Sequence, residues 1–258
     1  MGKYLPYANE CIQKFKPAVE ENAGIRLEDV VAKEAAEHPD FHTDYEFADY
    51  AAMFVDREYP GIIFVNEKKY DQLEDSLSEI TLGITHELAH LAHAKLIQTE
   101  IARNILKKEN GQCTLSSMQD AINYFNKYWK SQSFREGFAE SISLKGLFNL
   151  YDRHTRNEAL EQMISLASYK KFPKRLRPYE KGYKFYSKVM RVLQAGILEI
   201  ARSPPINEIE VRIPLLYLLR RCPAKTIKTM PRLIAEDIKN KYQKAYYKFK
   251  CARNLVHL

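Results

Sequence analysis

Residues 76–98 read SLSEITLGITHELAHLAHAKLIQ, and this stretch decides the fold of the chain. Its apolar residues recur at helical spacing, which predicts one long helix that ends at about Gln98. Ser76 or Ser78 can cap the start of this helix. Glu79 follows Ser76 by three residues, which matches a capping box.

The motif HELAH occupies residues 86–90, near the middle of this predicted helix. His86 and His90 lie one helical turn apart on the same face, so both imidazoles can reach one metal ion. Glu87 lies beside them, where its carboxylate can meet a metal-bound water rather than the metal. The motif therefore predicts a zinc (Zn2+) site in which Glu87 does the acid and base chemistry.

A catalytic zinc site needs a third protein ligand and an open fourth position. His93 lies one turn beyond His90, but three ligands on one straight helix all approach from one side. We therefore expect a capping or supporting role for His93. The stretch SFREGFAES at 133–141 predicts a second helix with Glu136 and Glu140 on one face, and this helix can supply the missing ligand.

HELAH followed by REGFAES resembles the gluzincin branch of the zinc metallopeptidases, the thermolysin-like and aminopeptidase-like superfamily. The resemblance implies a zincin-like domain, in which a small sheet precedes the HExxH helix and a glutamate helix follows it. It also implies that Glu136 is the third ligand and that Glu140 orients a ligating histidine. Two features depart from the family: Arg135 stands where Asn is common, and Glu136 follows His90 by an unusually long 46 residues.

The resemblance implies a metallopeptidase that hydrolyses peptide or protein substrates, with Glu87 taking a proton from the zinc-bound water. A tyrosine near zinc can donate a hydrogen bond to the developing oxyanion. The segment PYEKGYKF at 178–185 offers Tyr183 or Tyr179, and Tyr183 is our candidate. The stretch AAMFV at 51–55 lacks the acid of the GxMEN motif, so we do not expect an aminopeptidase of that type.

Predicted strands precede most of the predicted helices, which favours a mostly helical α+β fold. The strands are expected at 25–32, Ala51–Val55 and Ile62–Val65, with a turn at Pro60-Gly61. We expect Ile62–Val65 to be the edge strand along the cleft, where a bound peptide would add as a further strand. Besides the HELAH helix, the pattern predicts helices at about 5–21, 99–108, 117–130, 134–150, 156–169, 179–201 and 231–255.

We divide the chain into a catalytic core at 1–150 and a helical C-terminal part at 151–258. The charge is uneven between them: the chain has a net charge of +7, but residues 220–258 alone contain eleven Lys/Arg and two acids, or +9. This arm interleaves lysines with aromatics at 239–253. The alternative function is therefore a nucleic-acid or polyanion binding protein with a structural or vestigial zinc site.

The apolar residues of the arm, among them Leu233, Ile234 and Ile238, recur at helical spacing and are expected to pack against the body. No secretory leader or membrane span is expected, since the longest apolar run near the end, 213–219, is too short. The four cysteines form no CxxC pair, which is typical of reduced thiols. A cytoplasmic location is the expectation that fits these features.

Overall fold

The computed structural model of the chain is mostly helical, with one small sheet close to the N-terminus. Its elements, in chain order, are α1 (Leu5–Ala23), β1 (Val31–Glu34), β2 (Met53–Val55), β3 (Ile62–Val65), α2 (Glu67–Tyr70), α3 (Ser76–Lys108), α4 (Gln132–Leu150), α5 (Arg177–Leu193), α6 (Ile197–Ala201), α7 (Glu208–Arg212) and α8 (Pro214–Arg221). The structure describes residues 3–39, 53–55, 59, 61–72, 76–108, 123, 131–150, 177–193, 196–232, 234, 235 and 238.

The HELAH helix begins at Ser76 as predicted, but it is longer than the sequence pattern suggested. The helix predicted separately at 99–108 is the continuation of α3, because neither Gly nor Pro interrupts the backbone ladder after Gln98. The opposite occurs later in the chain. The single helix predicted at 179–201 is two helices, α5 and α6, with Gly196 in an extended conformation before α6.

Other predicted elements agree with the structure to different degrees. The first helix is confirmed as α1, and Gly24 ends it in the left-handed conformation with φ 59°. The strand predicted at 25–32 is wrong for most of its length, since β1 begins only at Val31. The helices predicted at 117–130, except residue 123, and at 156–169 lie outside the described residues.

The sheet has the strand order β1-β3-β2, which corrects our expectation about its edge. β3 (Ile62–Val65) is the central strand, parallel to β1 and antiparallel to β2, and Phe54 lies opposite Phe64. β3 is apolar on both faces: Ile63 belongs to the main core and Phe64 to a second apolar cluster. A strand buried on both faces favours a central position. The strand that presents an edge beside α3 is therefore β2.

One hydrophobic core joins both halves of the chain. α3 packs against α1 and α4, and α4 packs against α5. The fully buried core residues on α3 and α4 include Ile84, Leu88, Phe134 and Phe138. These residues flank HELAH and REGFAES, so the same packing that stabilises the core sets the distance between the two motifs. The division at 150/151 stays a prediction.

Two glycines allow α4 and α5 to cross in backbone contact. A Cβ on Gly182 would lie 1.8 Å from the carbonyl oxygen of Ser133 and 2.6 Å from the Cα of Gly137. A Cβ on Gly137 would likewise lie 2.2 Å from the carbonyl carbon of Gly182. Neither position has room for a side chain. This crossing holds the N-terminal half of α5 directly over the glutamate helix.

The basic arm begins with a further helical segment at 223–232, and residues 234, 235 and 238 are also helical. The expectation that Ile234 and Ile238 pack against the body is wrong, because their side chains are 50% and 57% exposed. The helix contacts the body through another side, on which Thr226 is fully buried. No helix among the described residues is long and apolar enough to cross a membrane.

The glycine crossing predicts that Gly182→Ala destabilises the fold. Alanine favours a helix by about 1 kcal/mol relative to glycine, but here its methyl group would overlap backbone atoms that cannot move without separating α4 from α5. We expect a loss of about 3 kcal/mol in the free energy of unfolding, measured by urea denaturation.

Gly196→Ala is the matched control, since a Cβ on Gly196 meets nothing within 4 Å and its φ of −70° suits any residue. Its unfolding curve should overlay that of the wild type. Equal stability of the Gly182→Ala and Gly196→Ala variants would contradict the close crossing.

Candidate metal centre

The two histidines of HELAH point their Nε2 atoms at the same place. His86 Nε2 and His90 Nε2 are 3.0 Å apart, and the two ring centroids are 4.6 Å apart. The spacing of four residues on α3 produces this arrangement without help from the rest of the fold. Their side chains are mostly buried, with 13% and 18% exposed.

Glu136 on α4 completes a group of three possible metal ligands. Its Oε2 atom lies 3.2 Å from His86 Nε2 and 3.2 Å from His90 Nε2. Ligands placed tetrahedrally at about 2.0–2.1 Å from a zinc ion are about 3.3 Å from one another, so the spacing fits one ion. His86, His90 and Glu136 could therefore hold a metal ion between α3 and α4.

Glu140 lies behind His86, on the side away from the triad. Its Oε1 atom is 3.4 Å from His86 Nδ1, one turn along α4 from Glu136. A carboxylate at that nitrogen favours the tautomer with hydrogen on Nδ1 and leaves Nε2 free to bind a metal. Burial raises the pKa of Glu140, while the His86 ring opposes this rise.

The carboxylates around His86 raise the pKa of its imidazole. Burial lowers the pKa of the imidazole, but the hydrogen bond to Glu136 and the charges of Glu140 and Glu87 outweigh this effect and raise it to about 9. Glu136 shows the reverse: burial raises its pKa, but hydrogen bonds from His86 and His90 hold it well below its usual range. A metal ion must therefore displace a proton from this site at neutral pH.

Glu87 is beside the triad but does not belong to it. Its pKa is raised by burial, and the nearby His90 and His86 rings oppose the rise. The charge of Glu87 in turn contributes to the raised pKa of Tyr70, which is buried at the end of α2. A carboxylate with a raised pKa beside a metal position is well suited to accept a proton and return it.

The structure brings Tyr179, and not Tyr183, to the triad. The Tyr179 ring centroid is 5.5 Å from that of His86, and the charge of Glu136 contributes to the raised pKa of its hydroxyl. Burial raises the pKa of Tyr179, and the neighbouring carboxylates raise it further, so the phenol stays protonated. Tyr183 lies one turn farther along α5, partly buried against the main core.

His93 is in the interface between α3 and α4 rather than in the triad. Its ring stacks on Phe138 with centroids 3.8 Å apart and planes 15° apart, and its side chain is fully buried. Burial lowers the pKa of His93 well below the ordinary value, and the charge of His90 lowers it further. A neutral, stacked His93 braces the two motif helices against each other.

The start of α4 is fixed by a contact that the sequence did not predict. Glu208 on α7 accepts a hydrogen bond from Ser131 Oγ at 2.6 Å and another from Ser133 Oγ. Both serines are buried, and Ser133 lies one turn before Glu136. Ser131 and Glu208 are 77 residues apart in the chain, so no local sequence pattern predicts their contact.

No family model, curated protein or solved structure matches this chain. The assignment of the site therefore depends on the chemistry and geometry of the chain's own residues. What they establish is a His-His-Glu group able to bind a metal ion in a mostly helical protein.

The triad predicts a graded response of zinc affinity to substitution. Glu136→Ala removes a ligand atom and should reduce the affinity severely, whereas Glu140→Gln should reduce it about 10–100-fold through the orientation of His86. His93→Phe is the matched control, because it changes a histidine of the same helix that stacks on Phe138 and lies outside the triad. Chelator competition with purified variants measures all three. Normal affinity in Glu136→Ala, with a loss in His93→Phe, would overturn the ligand assignment.

The raised pKa of His86 predicts that zinc affinity depends on pH. The imidazole binds zinc only after it loses its proton, so affinity should rise as pH increases and level off above about 9. Displacement of one proton corresponds to about a tenfold gain per pH unit below that value. Competition titrations from neutral pH upward measure it. An affinity that is constant between pH 7 and about 9 would contradict the proton competition.

Proposed function

We propose that this protein is a gluzincin-like, zinc-dependent metallopeptidase that hydrolyses peptide bonds. The observation that supports the proposal best is the position of Glu136 Oε2, 3.2 Å from the Nε2 atoms of both HELAH histidines. Two imidazoles and one carboxylate are the donor set of many catalytic zinc sites. A site built only for structure would more often close the coordination shell with a fourth protein ligand, and the described residues contribute three.

The chemistry follows from the residues that surround the proposed ion. Zinc held by His86, His90 and Glu136 would lower the pKa of a bound water toward neutrality and polarise a peptide carbonyl. Two neutral imidazoles and one carboxylate leave a net charge of +1 at such a site, which favours an anionic intermediate. The protein then has to move a proton and stabilise the oxygen that becomes negative.

Glu87 is the proposed proton carrier. It follows His86 directly in the chain, so α3 holds its carboxylate next to the position between the two imidazoles. Burial raises its pKa, which makes the carboxylate a stronger base than an exposed one. In the proposed reaction Glu87 takes a proton from the attacking water and passes it to the leaving amine.

Tyr179 is the proposed oxyanion donor, in place of Tyr183. Its phenol is protonated, is close to Glu136, and belongs to a helix that the Gly137–Gly182 crossing holds rigidly. A donor fixed before the reaction needs no reorganisation when charge develops on the substrate oxygen. The hydroxyl would donate a hydrogen bond to that oxygen.

The edge strand β2 is the proposed guide for the substrate backbone. Met53 contacts the α3 helix at Gly83, three residues before His86; a Cβ on Gly83 would lie 3.2 Å from the Met53 sulfur. Among the described residues β2 pairs only with β3, on one of its two sides. An extended peptide could form hydrogen bonds with the other side and bring a scissile bond toward the metal position.

Glu87→Gln tests the proposed chemistry. Gln has nearly the shape of Glu but cannot accept the proton, so zinc content should be unchanged while hydrolysis falls by about 10²–10⁴-fold. The readout is cleavage of a fluorescence-quenched peptide library by the zinc-loaded full chain. Glu28→Gln is the control and should keep full activity. Glu28 is an exposed carboxylate that accepts a hydrogen bond from Lys95, a residue on α3 like Glu87. Undiminished cleavage by Glu87→Gln would assign the activity to another protein or another base.

Tyr179→Phe and Tyr183→Phe form a matched pair on one helix. Loss of the Tyr179 hydroxyl should lower kcat by about 10²–10³-fold with little change in KM, because the hydrogen bond acts only when charge develops. Tyr183→Phe should leave kcat unchanged, since Tyr183 lies one turn farther along α5 from the triad. A larger loss in Tyr183→Phe than in Tyr179→Phe would return the oxyanion role to Tyr183.

A further inference from the structure

Exposed apolar side chains are concentrated in one part of the chain, away from the metal centre in sequence. Of the nine large apolar residues that the structure describes as exposed, seven lie between Ile206 and Ile238. They are Ile206, Ile209, Ile213, Leu216, Ile227, Ile234 and Ile238. Nothing in the proposed peptidase mechanism uses them. Exposed apolar residues mark an interaction surface where they form one contiguous patch.

The helical segment from 223 onward contains the most exposed of these residues. Ile227, Ile234 and Ile238 are 62%, 50% and 57% exposed. They are spaced by seven and four residues, so they fall within about 40° of one another around the helix axis. The three isoleucines therefore form one stripe along the helix, which we call the isoleucine stripe.

The body of the protein covers a different side of this helix. Thr226 is fully buried, and the Lys225 ammonium donates a hydrogen bond to the Leu193 carbonyl oxygen at the end of α5. Cys222 and Thr229 are half-buried, at spacings of four and three residues from Thr226. These contacts attach one side of the helix to the body and turn the isoleucine stripe toward solvent.

The exposed side of this helix is basic as well as apolar. Nine residues between 223 and 238 are described as exposed, and none of them is acidic. Besides the stripe they are Pro223, Ala224, Lys228, Pro231, Arg232 and Ala235. Arg221, at the end of α8 and two residues before this helix, is exposed too. The whole segment from Arg220 to the end has a net charge of +9.

We propose that the isoleucine stripe and its basic neighbours dock this protein on the surface of an anionic lipid membrane. Aliphatic side chains on one side of a helix can enter the boundary between headgroups and acyl chains, while adjacent Lys and Arg attract acidic headgroups. The helix would lie along the surface. This docking is independent of the metal centre and of the proposed peptidase activity.

Two other partners fit the same surface less well. Single-stranded nucleic acids are bound largely by stacking of bases on aromatic rings, and no aromatic residue is exposed among the described residues of 223–238; the aromatic residues of 239–253 lie outside the described part of the chain. A second copy of the chain would bring two surfaces together whose described exposed charges, Arg221, Lys228 and Arg232, are all positive, and no described exposed acid would offset them. An anionic bilayer satisfies the cations and the isoleucines together.

Vesicle co-sedimentation of the full chain tests the proposal. The chain should bind phosphatidylcholine vesicles that contain phosphatidylserine and should not bind pure phosphatidylcholine vesicles. Binding should weaken as salt is added, because the attraction to acidic headgroups is screened. Absence of binding to the phosphatidylserine vesicles at physiological ionic strength would overturn the proposal.

Variants of exposed residues separate the two parts of the surface without disturbing the core. Ile227→Ser, Ile234→Ser and Ile238→Ser combined should lower vesicle binding by at least about tenfold. Lys228→Ala with Arg232→Ala should lower it by about tenfold in low salt and by less in high salt.

Leu77→Ser is the matched control, because Leu77 is 49% exposed but lies at the start of α3. Its vesicle binding should equal that of the wild type. Unchanged vesicle binding in the triple isoleucine variant would contradict the membrane proposal. If the wild type binds no vesicles but self-associates or binds oligonucleotides, and the triple variant loses that association, the partner is a second copy or a nucleic acid instead.

Discussion

The carboxylate of Glu136 is the group on which the arrangement of the helices depends. It is 9% exposed and lies between two imidazoles of another helix, and a buried carboxylate without such partners would be strongly destabilising. α3 and α4 therefore have to cross at the level of His86 and His90. Glu140 repeats the constraint one turn later, because it too is buried and meets the same His86 from behind.

Close packing then determines which further groups reach this centre. Gly137 follows Glu136 directly, and its contact with Gly182 sets α5 against the glutamate helix. Tyr179 lies three residues before Gly182 and so arrives beside His86 and Glu136, partly buried. Small residues at a crossing cost some helix propensity, and here they position the side chain that we propose as the oxyanion donor. The same helix crossing therefore packs the core and positions the residues of the candidate site.

The pairing of residues within each half of the candidate metal group could be predicted from the sequence because their spacing is local. Four residues place His86 and His90 on one helical face wherever the helix lies, and the same spacing aligns Glu136 with Glu140. The choice between the two tyrosines of α5 could not be made in this way. Tyr179 and Tyr183 are also four residues apart on one face, and only the height at which α5 crosses α4 separates their positions.

The sequence by itself determined where α1, β3 and α3 begin, since helix periodicity and the apolar run of β3 are local signals, and it marked the end of α1 through the αL glycine at Gly24. Tertiary structure decided the strand order, because Ile62–Val65 becomes central only when β1 and β2 pair on its two sides. It also decided which side of the C-terminal helix is covered. The spacing of Ile234 and Ile238 indicates that they share one face of the helix. Whether that face is buried against protein or exposed to solvent depends on residues distant in the chain.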